Sequence, residues 1–168
     1  MELSEEQKKM AEVAREVLER LLELLEVSAS IEFSGGYFLK DGEEVEPTIA
    51  LDIEDEDPGI LIGRRGQTLA SLQYIVRLIV ERKTDLQSPI IVDVGGYRRR
   101  RCESLRAMAW RIAEQVRAGG TPFALEPMSA FDRRVIHLAL ADSPDIMTHS
   151  TDVGYLRKLV ILPKDWSI

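Results

Sequence analysis

The chain has 168 residues, of which 45% are hydrophobic and 30% charged, a composition typical of folded domains rather than of disordered segments. Its single cysteine excludes an intramolecular disulfide framework and a cysteine-based zinc site, and it favours the reducing cytoplasm. The sequence has no apolar run of about 20 residues, so no membrane insertion is expected.

The net charge of −7 conceals an uneven distribution of charged residues. Residues 1–57 contain 5 Lys and Arg against 18 Asp and Glu, whereas residues 58–117 contain 12 against 5. The middle segment is therefore net +7 in an otherwise acidic chain. Because the local field, and not the total charge, attracts a polyanion, a nucleic-acid contact is expected in this segment.

The first predicted elements are a helix and two strands. Apolar residues at helical spacing predict an amphipathic helix over residues 4–27. Alternating apolar residues then predict strands over residues 29–39 and 45–53. Asp41-Gly42 between them indicates a tight turn, since Asp-Gly supplies the backbone freedom that hairpins require.

A short helix, a loop, a longer helix and a third strand come next. Asp57 as N-cap and Pro58 at the first helical position mark the start of the short helix. Glycines bracket a break at residues 63–66, and the longer helix then runs to about Lys83. The third strand is predicted over residues 89–94. The order so far is α-β-β-α-α-β.

The remaining predicted elements form a second group after the glycine pair at residues 95–96. They are a helix over residues 97–118, a strand over 121–126, a helix over 129–141, and strands over 146–150 and 156–162. Because the glycine pair interrupts the pattern, a domain boundary is predicted there.

The loop Gly63-Arg64-Arg65-Gly66 carries the most specific functional signal. Glycines at this spacing let the backbone approach a ligand closely, and the helix that follows presents free N–H groups that suit a phosphate. The two arginines add charged groups that match phosphate oxygens. On its own the tetrapeptide is equally compatible with a basic helix–helix turn. Its position between two helices, after two strands and before a third, favours the phosphate-gripping loop of a type II KH domain.

Four further residues are candidate RNA contacts. Arg98 and Arg101 belong to a basic run at a helix start, where the helix dipole disfavours cations. An anionic ligand is one interpretation, and a solvated run whose arginine stems cover the core is the other. Arg133 and His137 lie four positions apart and therefore share a helix face. They suit a phosphate and a base of a single strand, although a structural histidine is the alternative.

Five segments resemble a known family. Residues 60–69 and 72–74 resemble the KH segment of the bacterial Jag family, the SpoIIIJ-associated proteins (also called KhpB or EloR). Residues 124–128, 133–137 and 148–150 resemble the C-terminal domain of that family, which is named for its Arg-x-x-x-His motif. Each motif alone is modest, but the two domains in this order are specific.

The resemblance implies an α+β fold. It consists of a type II KH domain (α-β-β-α-α-β) over residues 1–96, followed by a small α/β domain with an Arg-x-x-x-His motif over residues 97–168. The resemblance implies RNA contacts at six residues of these motifs: Gly63, Arg64, Arg65, Gly66, Arg133 and His137.

The predicted function is binding of single-stranded RNA, with single-stranded DNA as an alternative ligand. The resemblance implies a cytoplasmic post-transcriptional regulator linked to cell elongation, envelope growth or sporulation. The expected protein partner is a small KH-only protein or a second copy of the chain, and the alternative is an interaction module for which RNA contact is incidental. No nucleophile–base pair, nucleotide-binding motif or metal-ligand cluster is present, so no enzyme activity, cofactor, metal or small-molecule substrate is predicted. Many family members carry an extra N-terminal domain, which this chain is expected to lack.

Overall fold

The computed structural model describes residues 4–33, 39–40, 43–44, 49–86 and 89–166. Its internal contacts divide the chain into two units. The first unit comprises Met1–Leu39 and Glu44–Arg98, and the second comprises Lys40–Glu43 and Arg99–Ile168. Each unit has a hydrophobic core of its own.

The elements up to residue 94 include three helices and five strands among the described residues. In chain order they are α1 (Glu5–Leu24), β1 (Ser30–Phe33), β2 (Leu39–Lys40), β3 (Glu43–Glu44), β4 (Ile49–Glu54), α2 (Gly59–Ile62), α3 (Gln67–Thr84) and β5 (Ile90–Val94). A capping box of Ser4 and Gln7 begins α1, because each side chain accepts a backbone N–H at this end of the helix.

The sheet of the first unit has the order β1-β4-β5. β4 runs antiparallel to β1 and parallel to β5, and Leu51 lies opposite Val92 in the parallel pair. α1 and α3 pack against each other. The most deeply buried side chains come from these two helices and from β4 and β5: Leu18, Leu51, Ile53, Leu69, Val76, Val80, Val92 and Val94.

The structure refines the predicted strands and corrects one cap. β1 and β4 lie within or beside the two predicted strands, while the proposed turn at Asp41-Gly42 lies outside the described residues. β2 and β3 pair with each other in a separate two-stranded ladder. The prediction of Asp57 as N-cap of α2 is wrong, because α2 begins at Gly59 and the N-cap position falls on Pro58, whose carbonyl accepts the backbone N–H of Ile62 at 3.0 Å.

The second unit contains most of α4 and all the later elements: α4 (Tyr97–Gly119), β6 (Phe123–Ala124), α5 (Ala130–Leu140), β7 (Ile146–Thr151) and β8 (Lys158–Pro163). Its sheet is antiparallel with the order β6-β8-β7, and α5 lies against β7. The most deeply buried core side chains come from both helices and from β8: Leu105, Ala109, Ala113, Ile136, Leu140, Leu159 and Ile161.

Two local features fix the ends of the elements in the second unit. The Ser129 side chain accepts the backbone N–H of Asp132 and so caps α5. The helix therefore begins at Ala130, one residue after the predicted start. β8 begins at Lys158, two residues later than predicted, because Gly154–Leu156 forms a 3-10 turn. Within the part of the chain that the structure describes, no helix has the length and apolar character needed to span a bilayer.

Candidate nucleic-acid interface

The loop between α2 and α3 has an unusual backbone conformation. Gly63, Arg65 and Gly66 all have positive φ angles, of 67°, 55° and 80°. Positive φ costs little for glycine, whereas a residue with a Cβ is strained there. The loop is closed by the backbone N–H of Gly66, which donates to the carbonyl of Gly63 at 3.3 Å. The two glycines therefore permit a turn that ordinary residues would resist.

Close packing also requires both glycines. A Cβ at Gly63 would lie 2.0 Å from Oγ1 of Thr68, and a Cβ at Gly66 would lie 2.8 Å from Cε1 of Tyr97. Real Cβ atoms essentially never make contacts this short. Tyr97 is half-buried and packs against the core of the first unit, so its ring supports the loop on the side that faces the core. The loop is thereby held against α3 and the first residue of α4.

The outer side of this loop suits an anionic ligand. Arg64 and Arg65 are both exposed. α3 starts directly after them, its first turn contains no acidic residue, and no side chain of the described residues caps it. Because the N-terminus of a helix carries unsatisfied N–H groups and a partial positive charge, the backbone and the arginines favour the same ligand charge. A phosphate group has that charge and geometry.

Arg98 makes internal hydrogen bonds in the first unit. Its Nε donates to the carbonyl of Val92 at 3.1 Å, and its Nη2 donates to Oε1 of Gln73 at 2.7 Å. Its backbone N–H donates to the carboxylate of Asp93 at 3.2 Å. Burial raises the pKa of Asp93, although the N–H groups of Val94 and Arg98 oppose that shift. Arg98 therefore ties the start of α4 to β5 and α3.

Arg101 has a comparable role in the second unit. Its Nη2 lies 2.6 Å from Oδ2 of Asp132, whose side chain is only 3% exposed. A buried carboxylate without a counter-charge destabilises the folded state, so the burial of Asp132 requires its ion pair with Arg101. It joins α4 to the first turn of α5.

Arg133 and His137 are brought together on α5, each with a partner outside the helix. Nη1 of Arg133 donates to the carbonyl of Met128 at 2.7 Å and lies 3.5 Å from the carbonyl of Arg157. Nδ1 of His137 lies 2.5 Å from the hydroxyl oxygen of Thr148 on β7. His137 is exposed, and its other ring nitrogen, Nε2, has no hydrogen bond among the described residues. The ring is thus held at one nitrogen and open at the other.

Several partners of these side chains could not be identified from the sequence. Gln73 lies 25 residues from Arg98, and Asp132 lies 31 residues from Arg101, so no local spacing reveals either pair. Thr148 belongs to a segment that carries the family resemblance, which is the only signal that pointed to it. In the described residues no cluster of three or more His, Cys, Asp or Glu side chains could hold a metal ion.

Comparisons with known proteins match both halves of the chain. The family model "KhpA/KhpB, KH domain" matches residues 39–92, and the model of the R-3-H domain, the domain named for Arg-x-x-x-His, matches residues 103–163. The RNA-binding protein KhpB of Clostridium symbiosum is 38% identical over 118 residues, which are 70% of this chain and 53% of that protein. The RNA-binding protein KhpB of Bacillus subtilis is 35% identical over 124 residues, which are 73% of this chain and 60% of that protein.

A third relative has the same name. The RNA-binding protein KhpB of Lactiplantibacillus plantarum is 32% identical over 111 residues, which are 66% of this chain and 34% of that protein. The chain thus spans between a third and three fifths of the length of these curated relatives. The matches to both domain models, in this order and with these identities, show that the chain belongs to the KhpB (Jag) family.

Proposed function

We propose that the protein binds single-stranded RNA and holds the phosphate backbone at the loop Gly63-Arg64-Arg65-Gly66. The observation that carries this proposal is the left-handed glycine loop, with two exposed arginines, directly before an uncapped helix N-terminus. The names of the relatives, all of them RNA-binding proteins, support the same ligand. We infer a cytoplasmic post-transcriptional regulator without enzymatic activity.

The proposed domains are a type II KH domain over residues 1–96 and an Arg-x-x-x-His domain over residues 97–168. The order α1-β1-β4-α2-α3-β5, with β4 and β5 parallel, supports the type II topology. The short β2–β3 ladder is then an insertion between the first two strands of the domain sheet.

The second proposed contact is His137. Its Nε2 is open while Thr148 holds Nδ1, so the ring is oriented before a ligand arrives. Arg133 is half-buried and shapes the backbone beside it through the carbonyl of Met128. We assign Arg98 and Arg101 to positioning roles because both bind internal acceptors. His137→Ala is expected to weaken RNA binding without unfolding α5, and an intact affinity with a much lower melting temperature would mark the histidine as structural.

The test of the loop is a double charge reversal, Arg64→Asp with Arg65→Asp. The matched control is Arg82→Asp with Lys83→Asp, since these two exposed residues end the same helix and produce the same change in net charge. Affinity for a short single-stranded RNA is measured at several salt concentrations by fluorescence anisotropy, after circular dichroism has shown that both variants are folded.

The loop variant is expected to bind at least about 10-fold more weakly, and its dependence on salt should become shallower. Loss of two phosphate contacts reduces the slope of log affinity against log salt by about 1.4, because each contact to a single strand contributes about 0.7. The control variant should retain most of the affinity. An equal loss in both variants would reveal a general charge effect and would refute the loop as the contact.

Pairing with a KH-only protein or with a second copy is the alternative function. It is favoured by three apolar or aromatic residues that α3 leaves exposed on one face: Tyr74, Ile75 and Leu78. Leu78→Glu should abolish such pairing in sedimentation experiments while leaving RNA affinity unchanged. If RNA affinity instead requires pairing, the same substitution will weaken both.

A further inference from the structure

We propose that α4 carries an additional contact for single-stranded RNA, in which a base stacks on the indole ring of Trp110 between Arg106 and Arg111. We call these three residues the Trp110 platform. The inference rests on the proposed RNA-binding function and adds a site that neither the glycine loop nor the Arg-x-x-x-His motif contains.

The helix α4 is strongly basic. α4 contains seven arginines and two glutamates, so its net charge is +5 over 23 residues. Arg98 and Arg101 are used in internal contacts, and Arg117 pairs with Glu114 and Asp145. Arg106 and Arg111 are exposed, and the described residues provide no acidic partner for either. The exposed surface of α4 therefore carries uncompensated positive charge.

The same helix exposes the aromatic ring of Trp110. Trp110 is 45% exposed although tryptophan is among the most costly side chains to leave in water. Two other exposed aromatic rings already have a cation over them, since Arg15 lies 5.9 Å from the centroid of Phe33 and Arg77 lies 5.5 Å from that of Tyr74. Within the described residues no cation stacks on Trp110. Its ring remains available to a ligand.

The three residues of the Trp110 platform are close to one another on the helix surface. Arg106 lies one turn before Trp110 on the same face, where side chains four positions apart are neighbours. Arg111 follows Trp110 and lies about 100° further round the helix, so the two arginines flank the ring on different sides. Glu114, one turn after Trp110, is held by Arg117. Glu103 is the other acidic residue of α4 and lies almost two turns away.

These features fit single-stranded RNA better than a protein. Aromatic rings in basic grooves bind single strands because every base has a face that can stack, while nearby cations contact the phosphates. A protein partner of the usual kind would require a contiguous apolar patch, whereas three of the four exposed residues within four positions of Trp110 on α4 are charged. The Trp110 platform is thus expected to bind an unpaired base together with its flanking phosphates.

Intrinsic fluorescence tests the stacking directly in the full chain. Trp166→Phe leaves Trp110 as the single tryptophan, and Trp110→Phe leaves only Trp166, which is equally exposed at 44%. Addition of a short single-stranded oligo(A) RNA should quench the emission of Trp110 saturably and leave that of Trp166 unchanged. Inorganic polyphosphate serves as an anion without bases. Equal quenching by polyphosphate, or no quenching by the RNA, would overturn the proposal.

Affinity for the same RNA gives the second measurement. Trp110→Ala should weaken binding by about 5- to 100-fold, the usual effect of losing one stacked base. Trp110→Phe should stay within about 3-fold because a ring is kept, and Trp166→Ala should have no effect. Unchanged affinity in Trp110→Ala would refute the platform, and a simultaneous loss of self-association in sedimentation would assign Trp110 to a protein contact.

The loop variant separates this proposal from the function on which it rests. If the double reversal at Arg64 and Arg65 abolishes RNA binding while Trp110→Ala leaves it intact, the platform is wrong and the proposed function stands. If neither variant changes RNA affinity, both proposals fail.

Discussion

The two predicted RNA contacts, the glycine loop and the Arg133–His137 pair, differ in what holds their side chains. In the loop the backbone adopts three positive φ angles, of which only that of Arg65 is strained, and the arginine side chains are exposed. On α5 the backbone is an ordinary helix, and the functional side chains themselves are held by Met128 and Thr148. The first contact is therefore shaped by backbone conformation, and the second by hydrogen bonds to its side chains.

This difference determines what a substitution reports. Replacement of the exposed Arg64 removes no side-chain hydrogen bond or ion pair within the described residues, so a lost affinity there measures binding. An arginine of the second unit that binds internal acceptors also stabilises the fold, so its replacement mixes stability with binding. Strained backbone at a functional loop is also a common arrangement, because the strain helps to preorganise the site.

The largest effect is expected for Arg101→Ala in the second unit. The substitution leaves the buried carboxylate of Asp132 without its partner, which should lower the free energy of unfolding by about 3 kcal/mol. Thermal unfolding should show a melting temperature lower by more than about 10 °C. Arg99→Ala is the control, because Arg99 is exposed on the same helix. Unchanged stability with weakened RNA binding would instead make Arg101 a ligand contact and would contradict its assignment as a residue that stabilises the fold.

A smaller effect on stability, with a large effect on RNA binding, is expected for Gly63→Ala. The new Cβ would be strained by the positive φ and would collide with Thr68, so the unfolding free energy should fall by about 2 kcal/mol and RNA affinity by at least about 10-fold. Gly95→Ala is the matched control, since Gly95 has a φ of 52° with open space around its position. It should lose about 1 kcal/mol and bind RNA normally. Equal RNA affinity in the two variants would contradict a preformed loop.

Arg133→Ala should have an intermediate effect on stability and a limited one on salt dependence. Loss of the charged hydrogen bond to the Met128 carbonyl is expected to cost about 1.5 kcal/mol in chemical denaturation. Arg99→Ala, at an exposed position of α4, is the control and should cost less than about 0.5 kcal/mol. A slope of affinity against salt that falls by about 0.7, with stability intact, would show that Arg133 holds a phosphate directly.

The smallest effects are expected from pH, and they have opposite signs in the two units. The Arg117 guanidinium lowers the pKa of Asp145 to about 2 from an ordinary value of 3.8, so the stability from this pair is complete above about pH 4 and is lost as the pH falls toward 2. Burial raises the pKa of Asp93, so the folded state binds a proton at this carboxylate more tightly than the unfolded chain does. The contribution of Asp93 to the stability of the folded protein therefore increases as the pH falls.

Carboxyl carbon chemical shifts measured from neutral to strongly acidic pH test both directions. Asp93 should titrate above its ordinary range and Asp145 below it. Arg117→Gln should return Asp145 toward its ordinary pKa, whereas Arg20→Gln, which breaks an exposed pair with Glu23, should leave Asp145 unchanged. A normal pKa at Asp145 in the unaltered protein would show that the Arg117 pair is not formed in solution.

The helices and the glycine loop could be predicted because their signals are local. The apolar stripe of α1, the glycine break before α3 and the start of α5, which was placed to within one residue, each depend on residues within one or two helical turns. The strand limits were less accurate, since Leu156 joins a 3-10 turn where a strand was expected. Strand ends depend on pairing with distant residues, which local propensity does not contain.

By itself the sequence determined that a basic segment carries a glycine loop between two helices, because composition and spacing decide charge and local conformation. Only the tertiary structure decided which arginines face outward. Arg64 and Arg65 are exposed, whereas Arg98 and Arg101 bind acceptors 25 and 31 residues away. These four arginines have the same side chain, and only the tertiary contacts distinguish an exposed arginine from one that holds the fold together.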